Sequence, residues 1–196
     1  LARFVLTVLK LTLAFELTGA AILTMRWAGE YGVGRAAYHG VFHAISAFNN
    51  AGFALFSDNL VRFRSDWIVN LVITTLVICG GLGFIVLTAI GRARRFRRCS
   101  THTRLVITLT GALVVITTAL IWLIERNNAG TLQPLGAGEA LLASYFQAVT
   151  PRTAGFNTLD LGAMLPVSLF VMMVLMFIGA SPGGTGGGVK TTTFGV

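Results

Sequence analysis

Charged side chains are scarce in this sequence, and acidic ones are the scarcest. Only 11% of the 196 residues are charged, with seven Asp or Glu against fifteen Lys or Arg, and 55% are hydrophobic. This balance lies well outside the usual composition of a water-soluble globular domain. No nucleophile stands with a base and an orienting group in a recognisable pattern, so hydrolytic chemistry has no candidate site.

Cysteine and histidine are also rare. Cys79 lies in an apolar run and Cys99 in an arginine-rich stretch, so the two predict neither a disulfide framework nor a metal-ligand spacing. His39 and His43 are one helical turn apart but have no visible third ligand, and we interpret them as structural. We therefore expect no cofactor.

Long apolar runs dominate instead. A membrane-spanning helix needs roughly 20 apolar residues. Four stretches are candidates: 4–25, 67–90, 105–124 and 165–180. The first is too long for the core of a secretory signal and contains Lys10 and Glu16, so we predict an all-α integral membrane protein. Glu16 is a functional candidate inside a span; alternatively, both ionisable residues lie near the cytoplasmic end.

The positive charge is concentrated between the second and third spans. Six of the fifteen basic residues lie there: Arg92, Arg94, Arg95, Arg97, Arg98 and Arg104. This asymmetry predicts that the loop 92–104 and both chain ends are cytoplasmic and that 26–66 and 125–164 face outward. No soluble recognition module accompanies the basic loop, which disfavours nucleic-acid binding, whereas contact with anionic lipid headgroups is compatible with it. Because the chain opens at Leu1, we expect a fragment of a longer polypeptide.

The sequence contains an internal repeat. An offset of 103 residues aligns Ala51-Gly-Phe53 with Ala154-Gly-Phe156, and Gly80, Gly81 and Gly83 with Gly183, Gly184 and Gly186. The same offset superposes the first span on the third and the second on the fourth. We therefore predict two parallel repeats, 1–91 and 105–196, joined by the basic linker 92–104.

Each outward segment contains a shorter, semi-apolar stretch, 36–48 in the first repeat and 139–149 in the second. About three helical turns are too few to span a bilayer. They fit a re-entrant helix that dips into the membrane and returns through a loop. Non-helical backbone at that depth must be buried in protein or line a water-filled cavity, so a polar pathway is expected.

The returning loops are candidate cation sites, because backbone carbonyls can replace the water around an ion and a helix C-terminus favours positive charge. We define the first loop as Asn49, Asn50, Ala51, Gly52 and Phe53, and the second loop as Arg152, Thr153, Ala154, Gly155 and Phe156. Alternatively, the two glycines only permit a tight turn. The positive charge of Arg152 in the second loop would repel a bound cation, so we expect this side chain to pair with Asp160 or Glu139.

A glycine-rich segment, 179–190, interrupts the fourth span. Its candidate gate residues are Gly179, Ser181, Pro182, Gly183, Gly184, Thr185, Gly186, Gly187, Gly188 and Lys190. Proline and repeated glycine would break a helix here. A phosphate-binding loop is disfavoured, because Val189 separates Gly188 from Lys190 and no soluble strand precedes. We prefer a flexible intramembrane gate below the loops, with Lys190 near the cytoplasmic side; alternatively, Lys190 only snorkels to the interface.

These motifs resemble the Trk/Ktr/HKT superfamily of potassium transporters, and most closely its Ktr-type membrane subunit. The resemblance rests on residues 42–53, 150–157 and 179–194, and on the milder Leu-Ile-Glu-Arg-Asn-Asn stretch at 123–128. It implies four helix, pore-loop, helix units around one pore, of which this chain would hold the second and third. Gly52 and Gly155 would be two of four filter glycines, and 179–190 the intramembrane gating loop.

The resemblance also implies partners. The full-length protein would form dimers in the plasma membrane, bound to a cytosolic ring of nucleotide-binding regulatory subunits, with potassium uptake that can depend on sodium. Since two filter loops are missing, the preference for potassium over sodium stays open. A membrane scaffold or a membrane-embedded enzyme is the alternative, although neither predicts the repeat.

Overall fold

The computed structural model describes residues 2–93 and 96–194, and in that part of the chain the named elements are all helices joined by loops. In chain order the helices are α1 Ala2–Tyr31, α2 Val33–Phe48, α3 Trp67–Leu82, α4 Phe84–Ala93, α5 Thr101–Glu125, α6 Ala137–Val149, α7 Pro166–Phe177 and α8 Thr191–Phe194. Short 3-10 turns occupy Val61–Phe63, Phe96–Arg98 and Leu161–Ala163. Arg94 and Arg95 of the basic linker lie outside the described residues.

Two helices, α1 with 30 residues and α5 with 25, are long and apolar enough to cross a membrane. The expected continuous second span, 67–90, is wrong: α3 and α4 are separated at Gly83 and meet at an angle of 99°. The fourth span is shorter than expected, because α7 ends at Phe177 after 12 residues. By length and composition, the described chain thus has two spanning helices, or three if the bent pair crosses as one.

Local sequence accounts for several helix boundaries. Asp66 caps α3, since its carboxylate accepts hydrogen bonds from the amides of Ile68 at 3.0 Å and Val69 at 3.1 Å. The other carboxylate oxygen of Asp66 forms an ion pair with Arg26 of α1 at 2.8 Å, which fixes the start of α3 against the end of α1. Pro166 begins α7, where a missing amide proton costs nothing.

The core lies around the short helices α2 and α6. The first packs against α1 and α3, the second against α5 and α3, so α3 joins the two halves of the chain. Trp27, Phe48 and Phe146 are fully buried, whereas Met25 on α1, Val115 on α5 and Phe170 on α7 are more than 60% exposed. Apolar side chains on the outer face fit a hydrocarbon environment.

Candidate functional site

The first loop begins where α2 ends, at Phe48. The amide of Ala51 donates to the carbonyl of Ser46 at 2.8 Å, and the Ser46 hydroxyl donates to the carbonyl of Phe53 at 2.8 Å. Asn50 and Gly52 have left-handed backbone, with φ of 52° and 70°. Such angles are strained for residues with a side chain and open to glycine, and they let the loop reverse direction sharply.

The second loop, which follows α6, has the same construction. The amide of Ala154 donates to the carbonyl of Thr150 at 3.0 Å, and the Thr150 hydroxyl donates to the carbonyl of Phe156. Its left-handed residues are Thr153, with φ of 66°, and Gly155, with φ of 84°. They lie 103 residues after Asn50 and Gly52, the offset at which the sequence repeats.

The two loops meet at their glycines. A Cβ atom on Gly52 would overlap the carbonyl oxygen of Ala154 and lie 2.7 Å from the Cα of Gly155, so no other residue fits there. In the part of the chain that the structure describes, the carbonyl oxygens of Ala51 and Gly52, and of Ala154 and Gly155, accept no hydrogen bond. Carbonyls left open in this way are available to replace water around a cation.

The glycine-rich segment folds back on itself and lies against both loops. Two hydrogen bonds join its ends. The amide of Gly179 donates to the carbonyl of Val189 at 2.9 Å, and the amide of Val189 donates to the carbonyl of Phe177 at 3.1 Å. A Cβ atom on Gly186 would overlap the hydroxyl of Thr153 and lie 3.2 Å from the side-chain nitrogen Nδ2 of Asn50. The segment therefore closes the space directly beside one residue of each loop.

The same segment satisfies the backbone at the break between α3 and α4. The amides of Ser181 and Thr185 donate to the carbonyls of Gly81 at 3.0 Å and Gly80 at 3.1 Å. The carbonyl of Gly183 accepts from the amide of Phe84 at 3.2 Å. These are groups that a helix end leaves without an internal partner. The break between α3 and α4 and the glycine-rich segment after α7 are thus one packed unit.

Lys190 bends back toward this unit. Its ammonium group donates to the carbonyl of Gly186 at 3.0 Å, within the glycine-rich segment. The side chain is half-buried.

Arg152 does not form the expected ion pair. Asp160 is exposed and accepts from the amide of Gly162 at 2.9 Å, and neither it nor Glu139 is paired with a basic side chain among the described residues. The guanidinium of Arg152 is buried beside Val149, and its Nε and one Nη have no hydrogen-bond partner in the described part of the chain. Sequence alone did not show that this residue points inward.

Two carboxylates have larger roles than the sequence indicated. Glu16 of α1 accepts a hydrogen bond at 2.8 Å from the side-chain amide of Asn49, the residue that begins the first loop. Glu125, fully buried at the end of α5, accepts from Asn128 at 2.7 Å, Thr131 at 2.6 Å and the amide of Leu165 at 2.8 Å. Glu125 lies in the 123–128 stretch on which the family resemblance partly rests, so the sequence did contain a signal for this residue.

The histidines have a packing role. His43 is fully buried, its Nδ1 lies 2.7 Å from the carbonyl of His39, and its Nε2 accepts from the amide of Leu55 at 3.3 Å. Its ring stacks on that of Phe56 at 5.0 Å between centroids. Among the described residues no group of three or more His, Cys, Asp or Glu could hold a metal ion.

Comparison with known proteins decides the family. The family model described as TrkH, cation transport protein, matches residues 1–196. This chain belongs to the TrkH family. Members are cation transport proteins and not enzymes, so the interpretation as a membrane-embedded enzyme is wrong. With its apolar helices, this TrkH-family chain is part of a multi-pass membrane protein.

Three curated relatives and one solved structure illustrate the match. Ktr system potassium uptake protein B of Bacillus subtilis is 48% identical over 93% of this chain and 41% of its own length. The protein of that name in Vibrio alginolyticus is 42% identical over 100% and 44%. Potassium/sodium uptake protein NtpJ of Enterococcus hirae is 35% identical over 99% and 43%. The TrkH-family chain therefore spans less than half the length of these relatives.

The solved structure confirms the fold. The crystal structure of the potassium transporter TrkH from Vibrio parahaemolyticus matches with a TM-score of 0.77 at 18% identity, over 98% of this chain and 39% of the other. The predicted all-α membrane architecture is thereby confirmed.

Proposed function

We propose that the full-length protein takes up potassium ions across the plasma membrane, and that the first and second loops line its ion path with backbone carbonyls. The contact between Gly52 and Gly155 supports this most directly, because it brings two sets of unpaired carbonyl oxygens together at membrane depth. The short helices α2 and α6 both end at these loops, so their partly negative C-termini point toward the same place. The choice of potassium as the transported ion rests on the names of the relatives.

The two halves of the chain are, in this proposal, parallel repeats covering 1–91 and 105–196 on either side of the linker 92–104. Each has a long helix, a short helix, a loop with two left-handed residues and an interrupted helix. The remainder of the longer protein would supply further loops around the same axis. Potassium or sodium preference and any sodium dependence rest on that complete ring, and the name of the Enterococcus hirae relative includes both ions.

The glycine-rich segment is proposed as the gate. It fills the space beside Asn50 and Thr153 and lies outside any helix. Few hydrogen bonds join it to the loops and to α3, so the segment can exchange them for other partners when it moves. Movement of this segment would clear the path on one side of the loops. Lys190 would move with it, since its ammonium group is bound to a carbonyl of the segment.

We also propose partners and an orientation. The two Ktr relatives are named as one protein of a system. With the family resemblance, this supports a dimer of the full-length protein associated with a ring of cytosolic nucleotide-binding regulatory subunits. The cluster of arginines supports a cytoplasmic position for the linker 92–104 and for both chain ends.

The filter assignment is tested by rubidium uptake in cells that lack their own potassium uptake, with the full-length protein as the parent. Gly155→Asp puts a side chain and a charge where the loops meet, and we expect it to abolish uptake. Gly136→Asp is the matched control, because this exposed glycine caps α6 with nothing within 4 Å of its Cβ position, and Asp is a favoured cap. Uptake unchanged in Gly155→Asp at matched membrane expression would refute the assignment.

The gate assignment has its own matched pair. A Cβ on Gly186 would overlap the Thr153 hydroxyl and lie 2.7 Å from the Cβ of Ala180, so Gly186→Ala must distort the segment and displace it from Thr153, whereas Gly187→Ala points into open space one residue later. We expect faster rubidium influx from Gly186→Ala and parental influx from Gly187→Ala. Equal or slower influx from Gly186→Ala at normal expression would argue against a gate.

A further inference from the structure

An open apolar groove lies between α3, α5 and α6. Its volume is about 730 Å³. The side chains that shape it include Trp67, Leu71, Ala119, Trp122, Leu141 and Tyr145. None of these residues belongs to the two loops or the gate.

One wall of the groove is a stripe along α5 that ends in a cation. Val115, Ala119 and Trp122 line the groove at helical spacing, and Arg126 continues the same face one turn later. The Arg126 guanidinium lies 5.8 Å from the centre of the Trp122 ring. Arg126 is exposed and has no ion-pair partner among the described residues, so its charge is available at the mouth of the groove.

The tryptophans that line the groove indicate its depth in a membrane. Trp67 begins α3 and Trp122 lies one turn before the end of α5, so both aromatic side chains mark the same end of the groove. Tryptophan favours the boundary between headgroups and hydrocarbon. Val115 lies seven residues before Trp122, which is about 10 Å deeper at 1.5 Å per residue, compared with roughly 15 Å for one leaflet.

We propose that this groove is a phospholipid site, in which one acyl chain lies along α5 from Trp122 to Val115 and Arg126 binds the phosphate. The apolar walls match the chain, and the single cation at headgroup level matches the phosphate that all phospholipids share. A helix of a protein partner would cover the apolar walls equally well but would also have to place an acidic side chain against Arg126, whereas every phospholipid carries its phosphate at that level. The site is independent of the ion path.

Native mass spectrometry of the purified full-length protein tests the acyl-chain contact. Ala119→Trp fills the groove, and Leu123→Trp places the same ring on an exposed side of α5 outside it. We expect the parent and Leu123→Trp to retain one phospholipid per protomer that Ala119→Trp loses. The comparison is made between variants with the parental gel-filtration profile.

The phosphate contact is tested at the surface, where substitution does not endanger folding. The retained phospholipid should dissociate about fivefold faster from Arg126→Gln than from the parent, as expected for one lost cation near the membrane surface. Arg35→Gln, at an exposed arginine on α2, should leave the rate unchanged. Equal retention in all variants would overturn the proposal. Separation of an oligomer by Ala119→Trp with the lipid still bound would also overturn it, because protein would then cover the groove.

Discussion

The side-chain amide of Asn50 donates a hydrogen bond to the hydroxyl of Thr185 across 3.2 Å, which joins the first loop to the glycine-rich segment. The Thr185 hydroxyl in turn donates to the carbonyl of Phe48 at 3.0 Å, the last residue of α2. One threonine side chain therefore links the proposed gate to both the end of α2 and the start of the first loop.

Thr185→Val removes this hydroxyl and keeps the shape of the side chain. Each of the two hydrogen bonds of this hydroxyl stabilises the docked segment by about 0.5–1.5 kcal/mol, so losing both should make the undocked state roughly 5- to 150-fold more populated. We expect rubidium influx to rise by a similar factor in the full-length protein. Thr193→Val, at an exposed threonine after the segment, is the control. A fall in influx would mean that the contact holds the path open.

Glu16 is expected to position the first loop through Asn49. Glu16→Gln retains an oxygen that accepts the 2.8 Å hydrogen bond, whereas Glu16→Leu does not. We therefore expect uptake to survive in Glu16→Gln and to fall in Glu16→Leu, with expression unchanged. Lys10→Met, at an exposed lysine of the same helix, should behave as the parent. Loss of uptake in both Glu16 variants would instead assign the role to the charge.

Glu125 should matter for stability more than for transport. Its carboxylate accepts three hydrogen bonds that join the end of α5, the following turn and the start of α7. Glu125→Ala leaves these donors unmet, at about 1–3 kcal/mol for each one that stays buried. Thermal unfolding of the full-length protein in detergent should show a clear decrease in Tm. Glu30→Ala, at an exposed carboxylate, should not. Similar Tm values for both variants would contradict this role.

Arg152 leads to a prediction about the longer protein. A buried guanidinium without an acceptor costs several kcal/mol, so we expect a carboxylate from outside the described residues to pair with it. Arg152→Met would then leave that carboxylate unpaired and destabilise the full-length protein by roughly 3–5 kcal/mol. Unfolding measurements with Arg35→Met as the control test this. A more stable Arg152→Met protein would show that the guanidinium has no such partner.

The short helices were predictable because their ends are determined locally. The predicted stretches 36–48 and 139–149 end at the residues where α2 and α6 end. Polar or ring-constrained residues follow each helix, namely Asn49 and Asn50 after the first and Thr150 and Pro151 after the second. Hydropathy and helix-breaking residues are both local properties, and both agree here.

The break between α3 and α4 was not predicted, because hydropathy stays high across it. Its cause is distant in sequence: the glycine-rich segment donates to the carbonyls of Gly80 and Gly81, and a Cβ on Gly80 would overlap the carbonyl of Phe48. At the 103-residue offset these glycines align with Gly183 and Gly184 of the glycine-rich segment, so the repeat itself indicated a second break at this position. The Arg152 pairing failed for a related reason, since charge alone does not show which side chains a fold buries.

The packing of the glycine-rich segment against the α3 break also bears on water. While the segment is docked, the carbonyls of Gly80 and Gly81 are bound to the amides of Ser181 and Thr185. If the segment moves, these four groups lose their partners together, and in a dry cavity each would carry a heavy desolvation penalty. Opening of the proposed gate would therefore be a hydration event: the segment could leave only if water replaced it, so the equilibrium should depend on the activity of water as well as on any regulatory ligand.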